Sequence, residues 1–130
     1  MFIETPKTTV AKSQKETFDF LNDLANFEKL MPENIDKFEV LNENRFLFAL
    51  KGMPEIVLEK KEQVPHNKLI LGAASEKLPF TLTADIAIVE NKNSEVFLSF
   101  SGEFNAMMAM MIKNPITNFI NTLSSNLNKI

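Results

Sequence analysis

The side chains able to do chemistry in this chain are few, and their spacing tests each reaction class in turn. His66 is the only histidine and sits in Pro65-His66-Asn67, a polar turn between apolar runs. General acid–base catalysis needs a histidine held near substrate and oriented by a partner. A turn supplies neither, so His66 is expected to be a solvated turn residue. One histidine without any cysteine cannot start a zinc site, and the missing cysteines also exclude disulfides and thiol nucleophiles. Glu59 and Glu62 flank Lys60-Lys61. A carboxylate pair across a cleft can hydrolyse, but the simpler expectation is a charged edge strand that resists pairing with other chains. Ser99 and Ser101 alternate with Phe100 outside any Gly-x-Ser-x-Gly setting. The three glycines are isolated, so no phosphate-cradling loop is present. No catalytic residue, metal site or cofactor is expected.

The most informative group is Met107-Met108-Ala109-Met110-Met111. At the helical period Met108 shares a stripe with Ile112, Ile116, Phe119, Leu123, Leu127 and Ile130. Met107, Met110 and Met111 project toward the side that is polar further along. Two readings stay open. Loops cover these methionines, with Met53 as one neighbour, or they form a pliable apolar rim that contacts a ligand or partner.

Composition narrows the partners. The hydrophobic fraction of 45% and charged fraction of 24% are those of an ordinary globular protein, and 130 residues suit one domain spanning 1–130. Net charge is −3, the only arginine is Arg45, and the lysines are scattered among glutamates. Nucleic acids and anionic membranes need clustered cations, so neither is an expected partner. Met1 to Ala11 lacks the apolar core of a signal peptide. The longest apolar run, Ala106 to Ile112, is too short to span a bilayer. A cytoplasmic setting without a transmembrane segment is expected.

The elements that must position these residues follow from hydrophobic period. Phe2 to Ala11 reads as a first strand, with Pro6 marking an edge or bulge. Ser13-Gln14-Lys15-Glu16 is a capping box. It opens a helix that Asn22-Asp23 divides in two and Leu30-Met31-Pro32 ends. From Phe38 the period becomes 2. Six strands are separated by turns at Asn42-Glu43-Asn44, Gly52-Met53-Pro54, Pro65-His66-Asn67 and Asn91-Lys92-Asn93, with another between the Leu69 to Ala73 and Phe80 to Ile88 runs. The last strand carries Val96, Leu98, Phe100, Gly102 and Phe104. After Phe104 the helical period returns to the C-terminus. Asn114, Thr117, Asn118, Asn121, Ser124, Ser125 and Asn128 fall on its polar side, and Asn114-Pro115 offers an N-cap that would split the helix in two.

The expected fold is α+β: a seven-stranded curved antiparallel sheet, two short helices after strand one, and a long C-terminal helix over the concave face. This order resembles the START-like helix-grip superfamily, which includes birch-pollen-allergen proteins and polyketide cyclases. The resemblance covers essentially the whole chain. It is carried by Ser13 to Glu16 after one strand, by the Phe80 to Ile88 strand, and by Gly102-Glu103-Phe104 running into a helix at Asn105. It looks closest to the small bacterial branch with the carbon monoxide dehydrogenase G subunit. The resemblance implies a lipid-like or polyketide-like guest between sheet and helix. The glycine-rich loop of plant members is replaced here by Asn42-Glu43-Asn44, so that loop's role does not carry over.

The expected lining of such a cavity is Phe48, Met53, Leu58, Phe80, Leu82, Phe100, Met108, Ile112 and Phe119, with Met107, Met110 and Met111 as a rim or partner contact. The leading expectation is a non-enzymatic binder or carrier of a small apolar ligand. The alternatives are an interaction or assembly module that meets a protein partner or a second copy through the Met-rich end, and a cyclase or isomerase.

Overall fold

The computed structural model describes residues 1–53, 55–74, 80–90 and 92–130; the expected turn members Pro54 and Asn91 lie outside them. The chain begins with two short strands, β1 (Phe2–Glu4) and β2 (Thr8–Val10), followed by helix α1 (Gln14–Asn22) and a 3-10 helix (Leu24–Leu30). Six strands follow: β3 (Ile35–Asn42), β4 (Arg45–Leu50), β5 (Ile56–Val64), β6 (Lys68–Ala73), β7 (Phe80–Glu90) and β8 (Asn93–Gly102). Helix α2 (Ala106–Leu127) closes the chain.

The strands form one curved antiparallel sheet in the order β1-β8-β7-β6-β5-β4-β3, with β2 also on β8. The seven-stranded sheet is therefore present, with its first strand in two pieces. Pro6 has no N–H for the ladder. Beside it Thr5 is buried, donates its amide to the Leu98 carbonyl at 2.9 Å, and accepts the Leu98 amide on its hydroxyl at 3.2 Å. Charge at the end of β5 does not mark an edge strand as expected, because β5 lies between β4 and β6. β4 pairs only with Ile56 to Glu59, however, so the charged continuation runs past its neighbour.

The capping box forms: Ser13 Oγ accepts the Glu16 amide and Glu16 Oε1 accepts the Ser13 amide, both at 3.1 Å. Asp23 then caps the 3-10 helix by accepting the Ala25 amide at 3.2 Å, which explains the break at Asn22-Asp23. On the concave face Phe46, Phe48, Leu58, Leu69, Leu71, Leu82, Ala84, Ile86, Val96, Leu98 and Phe100 alternate with outward residues and form one buried core with α1, the 3-10 helix and α2. Gly102 lets the rings gather at the end of β8. A Cβ there would lie 2.6 Å from Phe104 Cε2 and 2.9 Å from Phe80 Cβ. Phe104 itself falls beyond the strand in which it was expected.

Helix α2 is one helix rather than two segments. Asn105 caps it by accepting the Met108 amide at 2.8 Å, and Pro115 sits inside it. Its stripe is buried only from Ile116 onward, as Ile116, Phe119, Ile120, Leu123 and Leu127. Ser124, expected on the polar side, is buried and shares a 2.6 Å hydrogen bond with Thr8. Asn126 donates to the Leu30 carbonyl and Asn128 to the Thr9 carbonyl, each at 2.8 Å. The C-terminal half of α2 is thus held by apolar burial and by polar ties to β2 and the 3-10 helix.

Candidate functional site

The residues expected to line a cavity separate into three environments. Phe48, Leu58, Leu82, Phe100 and Phe119 are buried in the packed core. Phe48 and Phe119 stack with ring centres 4.9 Å apart and planes within 5°, and Phe100 lies 5.0 Å from Phe80. An enclosed void of about 10 Å³ lies between sheet and helix, walled by Leu82 with Leu69, Leu71, Leu98, Leu123, Leu127 and their neighbours. That is room for about one water, and an apolar wall gives a water no partners. Among the described residues this void leaves no room for a ligand under the C-terminal half of α2.

Met53, Phe80 and Ile112 form the second group, half-buried around the core. Met53 belongs to an open groove of about 360 Å³ where α2 meets the turn after β4. Gly52 builds this turn: it takes φ 81°, the left-handed region that favours glycine, and the Met53 amide donates to the Leu50 carbonyl at 2.9 Å. Leu50, Met53, Pro115 and Phe119 supply apolar lining. Asn34, Asn114, Asn118 and Thr122 supply amides and a hydroxyl, and among the described residues Lys51 is the one ionisable side chain in the lining. The Lys51 amide donates to the Asn34 carbonyl at 3.0 Å and so ties two walls together.

Of the groove's residues, Met53 and Phe119 are the two expected in a ligand lining from sequence. Pro115, Asn118 and Thr122 are spaced three and four apart along α2, which signals one helix line. Nothing in the sequence joins that line to Asn34 and Lys51; the chain's return along β3 and β4 does so.

Met108 is the third case and a correction. It is 37% exposed, so it does not belong to the buried stripe. Met107, Met110 and Met111 are 74, 82 and 71% exposed. No loop covers them among the described residues.

The reactive side chains lie elsewhere. His66 is in its turn at φ 73°, half-buried edge-on against Phe18 with ring centres 5.8 Å apart, rather than simply solvated. Glu59 pairs with Lys61 and Arg45, and the Lys61 hydrogen bond leads in holding its carboxyl below the usual value. These pairs border a broad, shallow depression of charged and polar hairpin residues, Asn42 to Arg45 and Glu59 to Gln63. Ser99 and Ser101 pair with Thr83 and Thr81 on the outward face. Among the described residues no three His, Asp or Glu side chains gather as a metal site, and no helix is long and apolar enough to cross a membrane.

The fold can be set beside known structures. Norcoclaurine synthase from Thalictrum flavum, solved with dopamine and hydroxybenzaldehyde, superposes with TM-score 0.77 at 10% identity over 99% of this chain and 84% of that one. A START superfamily protein from Mycobacterium smegmatis gives TM-score 0.73 at 9% identity, covering 98% and 94%. The fold is the START-like helix grip. A conserved protein from Geobacillus kaustophilus gives 0.70 at 13% identity, covering 99% and 93%. No protein-family model matches the chain, and no curated protein matches it by sequence. At these identities the START-like likeness is one of architecture.

Proposed function

We propose that this START-like protein binds a small apolar ligand, without transforming it, in the groove between α2 and the turn after β4. The observation that carries the reading is an apolar floor of Leu50, Met53, Pro115 and Phe119 under a rim of neutral amides. Apolar lining with a few fixed polar groups is the usual make-up of a small-molecule site. The volume of about 360 Å³ favours a compact aromatic or short aliphatic guest over a sterol or long lipid. Norcoclaurine synthase is described with small aromatic molecules, which supports a guest of that size; its chemistry does not travel with the fold. Binding is favoured over turnover because, among the described residues, Lys51 gives the lining one ammonium and no acid–base pair.

The test is a titration of the protein, labelled at its methionine methyls, with 1-naphthol and with hexanoate. The Met53 methyl is expected to shift first and most, with Met107, Met110 and Met111 unmoved. Near 100 times Kd, binding contributes about 2.7 kcal/mol, or roughly 5–15 °C in Tm for a domain of this size. A Tm unchanged across a chemically varied set of such ligands, with Met53 silent, overturns the reading.

A further inference from the structure

The exposed end of α2 calls for a separate account. From Ala106 to Ile112 the helix carries no polar or charged side chain, yet Met107, Met110 and Met111 are each more than two-thirds exposed. At 100° per residue the four methionines from Met107 to Met111 cover an arc of about 160° around the axis. This is a convex knob, whereas a groove would need a second wall. The Asn105 cap holds its first turn helical, and the ties from Ser124, Asn126 and Asn128 hold the other end of the same helix to the body.

We propose that this knob enters the headgroup region of an electrically neutral lipid surface. Charge supports that choice. Glu103 precedes the knob and Lys113 follows it, so its flanks cancel and no cationic cluster is present to select anionic lipid. Area argues against a second copy as occupant. Four partly exposed methionines offer on the order of a few hundred Å² of apolar surface, against about 800 Å² per partner in a stable dimer. Unbranched, pliable methionine side chains suit a fluid acyl boundary, and so small an apolar insertion gives weak, reversible association. The inference stands apart from the ligand groove, whose α2 wall begins at Asn114, beyond the last methionine of the knob.

The chain has no tryptophan or tyrosine, so Met110→Trp installs a single reporter. With phosphatidylcholine vesicles its emission is expected to shift to the blue and lose access to iodide, and the wild-type chain is expected to float with the vesicles. Replacing a fifth of the lipid by phosphatidylglycerol, or raising salt tenfold, is expected to change binding by less than twofold. The double variant Met110→Lys/Met111→Lys is expected to lose at least tenfold in vesicle binding while its Tm and its 1-naphthol response are kept. No blue shift and no flotation overturn the proposal. So does binding that requires phosphatidylglycerol and vanishes with salt. A concentration-dependent blue shift without vesicles, with a dimer in sedimentation, assigns the knob to a second copy and also overturns it.

Discussion

Phe46 and Phe119 are both buried phenylalanines, yet truncating them is expected to cost different amounts, and the difference tests the groove. Phe46 is 0% exposed and sits among Phe27, Phe38 and Phe48 at 5.2, 5.4 and 5.9 Å. Phe46→Ala leaves an enclosed hole. A cavity on the order of 100 Å³ costs about 2.4 kcal/mol at roughly 24 cal/mol per Å³, on top of a transfer term near 2 kcal/mol. The expected total is about 4–5 kcal/mol. Phe119 is 4% exposed and stacks on Phe48, but it also forms part of the groove lining. The space left by Phe119→Ala joins the groove and fills with solvent, so most of the cavity cost disappears and about 2–3 kcal/mol remains. Urea titration of both variants, with the m-value shared, reads the gap of about 2 kcal/mol. Equal costs at the two sites would refute the reasoning, because the Phe119 ring would then be walled on every side.

Three further outcomes follow from the packing and the caps. Gly102→Ala pushes a methyl into Phe104 and Phe80 and is expected to cost about 1–3 kcal/mol; Phe104→Leu in the same chain should recover part of it in thermal melts. Ser124→Ala leaves the Thr8 hydroxyl without its 2.6 Å partner and is expected to cost about 1–2 kcal/mol. Thr8→Val/Ser124→Ala should cost less than the single change, read as a coupling energy in a double-mutant cycle. Glu16 has its carboxyl held below the ordinary value, first by the Ser13 amide and then by the Ser13 hydroxyl. Its contribution is therefore present above the ordinary carboxylate value of 4.5 and is lost as pH falls through the lower folded value. Glu16→Gln should flatten the acid limb of a Tm-versus-pH curve.

The order of elements was legible because hydrophobic period changes sharply at Phe38 and again after Phe104, and because Ser13 to Glu16 carries a complete cap in four residues. The break at Pro6 was half legible. Proline signals a fault in a strand, but only the hydrogen bonds of Thr5 to Leu98 show that both pieces stay on the same partner. Ser124 and Met108 were misplaced for one shared reason. Period reports direction around a helix axis and says nothing of how far the body extends along it. At the buried end of α2 the body reaches around far enough to enclose a serine on the polar side. At the other end it does not reach Met108, although that residue lies on the apolar line. The groove was the least legible part, because Asn34, Lys51 and Asn118 meet only through the return of β3 and β4 beside α2.

The division of α2 falls at Pro115, and its chemistry suits that place. Proline has no N–H, so the Met111 carbonyl lacks its ordinary helical donor. Thr117 Oγ1 donates to the Lys113 carbonyl at 2.6 Å, a side-chain bond of the kind that bends helices. Two weakened turns therefore lie between the half anchored by Ser124 and Asn126 and the half that ends in exposed methionine. Asn114 and Pro115 are also part of the groove lining. Phe48 and Leu123, by contrast, are buried in the core. One helix therefore contributes both to the packed core, through Ile116, Phe119, Ile120, Leu123 and Leu127, and to the groove lining, through Asn114, Pro115, Asn118, Phe119 and Thr122.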